Sequence, residues 1–104
     1  MIDNSLIMEA ANRLVEKFHP RKIILFGSQA RGTADRHSDV DILVIGDYKE
    51  KRTSLINDMI RALQGLHFPC DIVVLTPEEF EADRFIPGTI ARPAWKEGRV
   101  LYGL

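Results

Sequence analysis

At 104 residues the chain has room for one domain, 1–104, and its 45% hydrophobic content can fill a small core. A net charge of −1 lacks the basic excess of proteins that track along nucleic acid, so no stable nucleic-acid binding is expected. The single Cys70 excludes an internal disulfide, and no apolar run is long enough to span a membrane, so a soluble, cytoplasmic protein is expected.

In chain order, Leu6, Ile7, Ala10, Leu14, Val15 and Phe18 recur at helical spacing, which predicts an amphipathic helix from about Asn4 to Phe18, ended by His19-Pro20. Lys22-Ile23-Ile24-Leu25-Phe26 is a β-branched and aromatic run that stops at Gly27, so it reads as a strand entering a tight turn. Ser28 then opens a short helix. Val40-Asp41-Ile42-Leu43-Val44-Ile45 is apolar enough for a buried strand. A second, longer helix with a wide apolar face is predicted from about Lys51 to Leu66, and Cys70-Asp71-Ile72-Val73-Val74-Leu75 is a third buried-type strand. Thr76-Pro77-Glu78-Glu79 combines an N-cap, a proline in the first turn and a capping box, so a short helix should reach about Phe85. Pro87-Gly88 breaks it, a last helix carries Trp95 and ends at Gly98, and Arg99–Tyr102 is a candidate edge strand. Alternating elements of this kind place the chain in the α/β (α+β) class.

Two features carry chemistry. Backbone amides at the Gly27-Ser28 turn, opening a helix, would point at a phosphate, although the same residues also serve as a plain strand, turn and serine N-cap. Asp39 and Asp41, at i and i+2, face one side with Cα atoms about 6.6 Å apart, close enough to converge on one or two cations. Asp71 stands at the start of its own strand and becomes a third carboxylate at the same sheet edge if the two strands pair. Hard oxygen ligands suit Mg²⁺ or Mn²⁺. Arg31 is placed to clamp a phosphate oxygen, whereas Arg36 and His37 read first as solvated loop residues. Phe80, Phe85, Ile86 and Trp95 are expected to pack in the core rather than to form a partner surface, and Cys70 to be a core thiol.

The stretch GSQARGTADRHSDVDILVI resembles the signature of the polymerase-beta-like nucleotidyltransferases, Gly-Ser followed by Asp-x-Asp, and is most similar to the minimal nucleotidyltransferases. The resemblance implies a small mixed sheet flanked by helices. It assigns Gly27 and Ser28 to the triphosphate, Asp39, Asp41 and Asp71 to the metals, and ATP with Mg²⁺ (or Mn²⁺) to the reaction. Minimal nucleotidyltransferases are usually encoded beside a helical HEPN partner, and several such pairs act as toxin and antitoxin. The expected activity is therefore transfer of AMP to a hydroxyl of a HEPN ribonuclease, with an oligomer formed with that partner. Two other readings stay open: neutralisation by binding alone, and transfer to a small molecule such as an aminoglycoside. One departure is Pro93, which stands where the family pattern favours a helix former and is expected to delay or kink the last helix.

Overall fold

The computed structural model describes residues 4–27, 30 and 39–103. In chain order the described elements are α1 (Asn4–Phe18), β1 (Lys22–Phe26), β2 (Val40–Ile45), α2 (Arg52–Ala62), β3 (Cys70–Leu75), α3 (Pro77–Asp83), α4 (Ala91–Glu97) and β4 (Arg99–Tyr102). The strands form one mixed sheet in the order β3-β2-β1-β4, with β2 parallel to β3 and antiparallel to β1, and β4 antiparallel to β1. Helices cover both faces. On one side Ile7, Ala10 and Leu14 of α1 and Leu55 and Met59 of α2 pack over Ile23, Leu25, Ile42, Val44 and Ile72. On the other, Phe80 of α3 and Ala91 and Ala94 of α4 cover Ile24, Phe26, Leu43 and Ile45. Burial from both sides explains why β1 and β2 read as unbroken apolar runs.

Several expectations hold to the residue. Helix α1 occupies Asn4–Phe18, with Ile7, Ala10, Ala11 and Leu14 buried. The Thr76 hydroxyl accepts from the Glu79 amide at 3.1 Å while the Glu79 carboxylate accepts from the Thr76 amide at 2.8 Å, which is the reciprocal capping box. Gly98 caps α4, and Arg99–Tyr102 is the edge strand.

Others need correction. Helix α2 stops at Ala62, not near Leu66, because the chain tightens into single turns, with Leu63 and Gln64 amides bonded to the Ile60 and Arg61 carbonyls, and Gly65 then adopts φ 92. Its apolar face is also narrower than predicted: Leu55 and Met59 are buried but Ile60 is exposed. Helix α3 ends at Asp83, short of Phe85. Strand β3 is buried only at alternate residues, Ile72 and Val74, because it lies at the sheet edge. Pro93 neither delays nor kinks α4. It is the third helical residue, where an amide would have had no partner inside the helix. Among the described residues no helix is long and apolar enough to cross a membrane.

Candidate functional site

Sheet pairing brings the conspicuous acids to one end. Asp41 lies opposite Phe26, the last residue of β1, and opposite Asp71 of the parallel β3. Since Leu43 and Ile45 face the α3 and α4 layer, alternation along β2 turns Asp41 to the same face, and β3 does the same for Asp71. Asp39 is exposed and immediately precedes β2.

Gly27 belongs to the same constellation. It follows β1 with φ 75, in the left-handed region, and a Cβ placed on it would run into the Asp41 Oδ2 atom and lie 3.3 Å from its Cγ. Both its backbone and its missing side chain are therefore required where it stands. Gly27, where the turn predicted to grip phosphate begins, therefore stands directly beside Asp41 of the acidic strand. Ser28 and Arg31, the other two residues assigned to the nucleotide, lie outside the described residues, as do Arg36 and His37.

Cys70 reports the local field. Burial, and then the negative charges of Asp71, Asp41 and Asp39, push its thiol up to about 12. Such a thiol stays protonated and inert near neutral pH, but Cys70 is half-buried and packs against the core from its margin rather than within it, because β3 lies at the sheet edge. All three carboxylates act on this one sulfur, so they share a neighbourhood.

These donors suit a hard divalent cation, yet among the described residues no three His, Cys, Asp or Glu side chains gather into a group able to hold a metal by themselves. Mg²⁺ is compatible with that arrangement, because it typically takes one or two carboxylates and completes its octahedron with water and substrate phosphate oxygens.

The nucleotidyltransferase domain model matches residues 7–101, nearly the whole chain. The chain belongs to the nucleotidyltransferase domain family. A relative from Methanocaldococcus jannaschii, named "Putative protein adenylyltransferase", is 36% identical over 104 residues, covering 98% of this chain and 100% of its own. Among solved structures, a "putative nucleotidyltransferase" from Sulfolobus solfataricus superposes with a TM-score of 0.66 at 22% identity, covering 95% of this chain and 78% of the other, a likeness of fold. A toxin–antitoxin structure with AMP-PNP has a TM-score of 0.62 at 25% identity, covering 93% and 73%. The polymerase-beta-like fold and the enzyme class expected from the Gly-Ser and Asp-x-Asp residues are thus both correct for this nucleotidyltransferase.

One expectation about its surface fails. Phe80 is buried, but Phe85, Ile86 and Trp95 are 55%, 50% and 41% exposed, so three of the four residues assigned to the core are on the outside. Side-chain chemistry alone does not decide exposure. The usable signal was the position of Phe85 and Ile86 beside Pro87-Gly88, in a connection between two short helices.

Proposed function

We propose that this nucleotidyltransferase is metal-dependent, moves AMP from ATP onto a hydroxyl of a partner protein, and serves as the antitoxin of a HEPN-type ribonuclease. The observation that carries the reading is the fit of Gly27 against Asp41, which sets the first residue of the Gly-Ser turn beside an acidic strand whose neighbour contributes Asp71. The similarity to a protein adenylyltransferase supports the reaction class, and the similarity to a toxin–antitoxin structure holding AMP-PNP supports the donor and the kind of partner.

Amides at the turn begun by Gly27 and Ser28 bind the β and γ phosphates, with Arg31 on a phosphate oxygen. Asp39 and Asp41, with Asp71 toward the acceptor, would be the carboxylates that hold one or two divalent cations. A cation so held would neutralise phosphate charge and lower the pKa of the acceptor hydroxyl. The acceptor oxygen forms its bond to the α-phosphorus in line with the breaking bond to pyrophosphate, and a carboxylate oxygen of Asp71 takes the hydroxyl proton. The acceptor keeps AMP and pyrophosphate leaves.

One observation favours a second reading. A similar solved structure is a toxin–antitoxin with AMP-PNP, and nucleotide binding without transfer would suit an antitoxin that acts by binding alone. The double variant Asp39→Asn, Asp41→Asn separates the two. Incubated with labelled ATP, Mg²⁺ and the HEPN-type protein, the wild-type chain should place AMP on a partner tyrosine and silence its ribonuclease activity, and the variant should do neither. Equal silencing by both, with no label on the partner, selects neutralisation by binding.

A further inference from the structure

Four of the eight exposed large hydrophobic residues among the described residues lie in the connection between α3 and α4 or on α4 itself. Phe85, Ile86, Ile90 and Trp95 are 55%, 50%, 44% and 41% exposed within eleven residues of one another. Their arrangement is ordered by specific contacts. The Phe85 and Trp95 rings meet edge to face, with centroids 4.8 Å apart and planes at 70°. The Arg84 guanidinium lies over both, 4.6 Å from the Phe85 centroid and 5.4 Å from that of Trp95, while its Nη2 is 3.1 Å from a Glu81 carboxylate oxygen. Arg92 Nη1 donates to the Phe85 carbonyl at 3.1 Å, and the Thr89 hydroxyl sits 2.9 Å from the carbonyl oxygens of both Asp83 and Ile86. A connection held at this many points loses little conformational freedom when something binds to it.

Charge indicates what binds. Of the cations near the patch, Arg84 is already paired with Glu81 and Arg99 bonds Asn4 of α1, which leaves Arg92 and Lys96, one turn apart on α4 beside Trp95, to meet a partner's carboxylates. Trp and Arg are the residues most often found at the energetic centres of protein interfaces, and charge complementarity selects the partner. Aromatic rings beside basic residues also suit single-stranded nucleic acid. Here two aliphatic side chains, Ile86 and Ile90, make up half of the exposed apolar set, and the chain as a whole has no basic excess. Helices α3 and α4 cover the sheet face to which Asp41 and Asp71 turn, so a partner seated on them lies on the catalytic side of the sheet.

We propose that Phe85, Ile86, Ile90 and Trp95 form the seat of the acceptor protein, and that the acceptor meets it with an apolar patch rimmed by carboxylates. The proposal rests on the partner-protein reading above and adds the surface that holds the partner. The test uses the full chain and a HEPN-type partner protein, with affinity measured by calorimetry at two salt concentrations and ATP binding measured separately. Trp95→Ser, and independently Ile90→Asp, should weaken the complex by roughly thirtyfold or more with ATP affinity unchanged. Lys96→Glu should weaken it and flatten its salt dependence, whereas Lys17→Glu, on α1, should have no effect. Because Ile90 makes no ring contact with its neighbours, Ile90→Asp keeps the test valid if Trp95→Ser unfolds.

Wild-type affinity in folded Trp95→Ser and Ile90→Asp overturns the proposal, as does a wild-type chain that binds ATP but no partner. Loss of self-association in these variants, or of binding to a single-stranded RNA oligonucleotide, without loss of partner binding, also overturns it and reassigns the surface. A complex that depends on the patch while neither chain binds ATP leaves the docking surface standing and removes the transferase reading instead.

Discussion

Gly27→Ala is the smallest change that tests the site. Two separate costs follow from its position. A non-glycine residue at φ 75 costs about 1–2 kcal/mol of backbone energy, which in a chain of this size lowers Tm by roughly 4–16 °C. The added methyl also overlaps Asp41 Oδ2, the far end of a side chain, so relief comes from moving the carboxylate rather than the strand. A catalytic group displaced by about 1 Å loses on the order of a hundredfold in rate. Gly65→Ala separates the two costs, because Gly65 has φ 92 but nothing within 4 Å of the added Cβ. Thermal denaturation should show similar losses for both variants, while AMP transfer, measured with labelled ATP well below the lower Tm, should collapse only in Gly27→Ala. Transfer by Gly27→Ala within twofold of Gly65→Ala would refute the argument that the turn and the acidic strand act as one site.

Thr76→Ala removes the hydroxyl half of the capping box and should cost about 1 kcal/mol, read as a Tm loss of roughly 4–8 °C with transfer intact. The Thr76 amide first, and then Arg52, hold the Glu79 carboxyl below its ordinary 4.5, so the stabilisation from Glu79 is present above that value and is lost as pH falls through the lowered one. Comparing the acid limb of the denaturation profile of Glu79→Ala with wild type checks this. Burial first, and then Glu50, raise the Tyr48 phenol to about 12, and its hydroxyl donates to the Phe18 carbonyl at 2.9 Å. Its contribution is therefore full below the ordinary 10.0 and is lost as pH rises through about 12, and Tyr48→Phe should cost roughly 0.5–1.5 kcal/mol at neutral pH. Met59→Ala, at a fully buried position between α2 and the sheet, should cost about 2–5 kcal/mol by chemical denaturation.

What could be read from the sequence follows from how local each signal is. Helix α1 and the Thr76 cap are set by residues three and four apart, and both fall where expected. The Gly27 turn and the acids Asp39 and Asp41 were legible for the same reason: the chemistry and its spacing lie within one short stretch. Asp71 was legible only conditionally, because its value depends on β3 pairing with β2 in the register that sets it opposite Asp41. Strand β3 also has the apolar composition of a central strand, and only the sheet order makes it an edge. The end of α2 was misplaced because the apolar spacing continues through Leu63 and Leu66, both buried, after the helical hydrogen bonds have stopped. Phe85 and Trp95 were assigned inward on residue type, yet apolar atoms make up much of any folded surface.

Topology explains why the acids meet, and it implies a cost. β1 ends where antiparallel β2 begins, and the crossover through α2 returns the chain to begin parallel β3 at that same end, so Gly27, Asp41 and Asp71 are adjacent however far apart they lie in sequence. Like charges directly opposite on neighbouring strands are destabilising, typically by less than about 1 kcal/mol, so Asp41 opposite Asp71 is a local conflict at this end of the sheet. Conflicts of this kind are retained where function requires them. Asp71→Asn, which keeps shape and removes charge, should therefore leave Tm unchanged or raise it by up to roughly 8 °C at low salt, with the gain shrinking as salt is added. Transfer should be lost in the same variant, and Mg²⁺ with ATP, expected to raise the Tm of the wild-type chain, should raise that of the variant less. A variant that is clearly less stable than wild type yet still transfers AMP at the wild-type rate would make Asp71 a structural residue and leave the site with the Asp39 and Asp41 carboxylates alone.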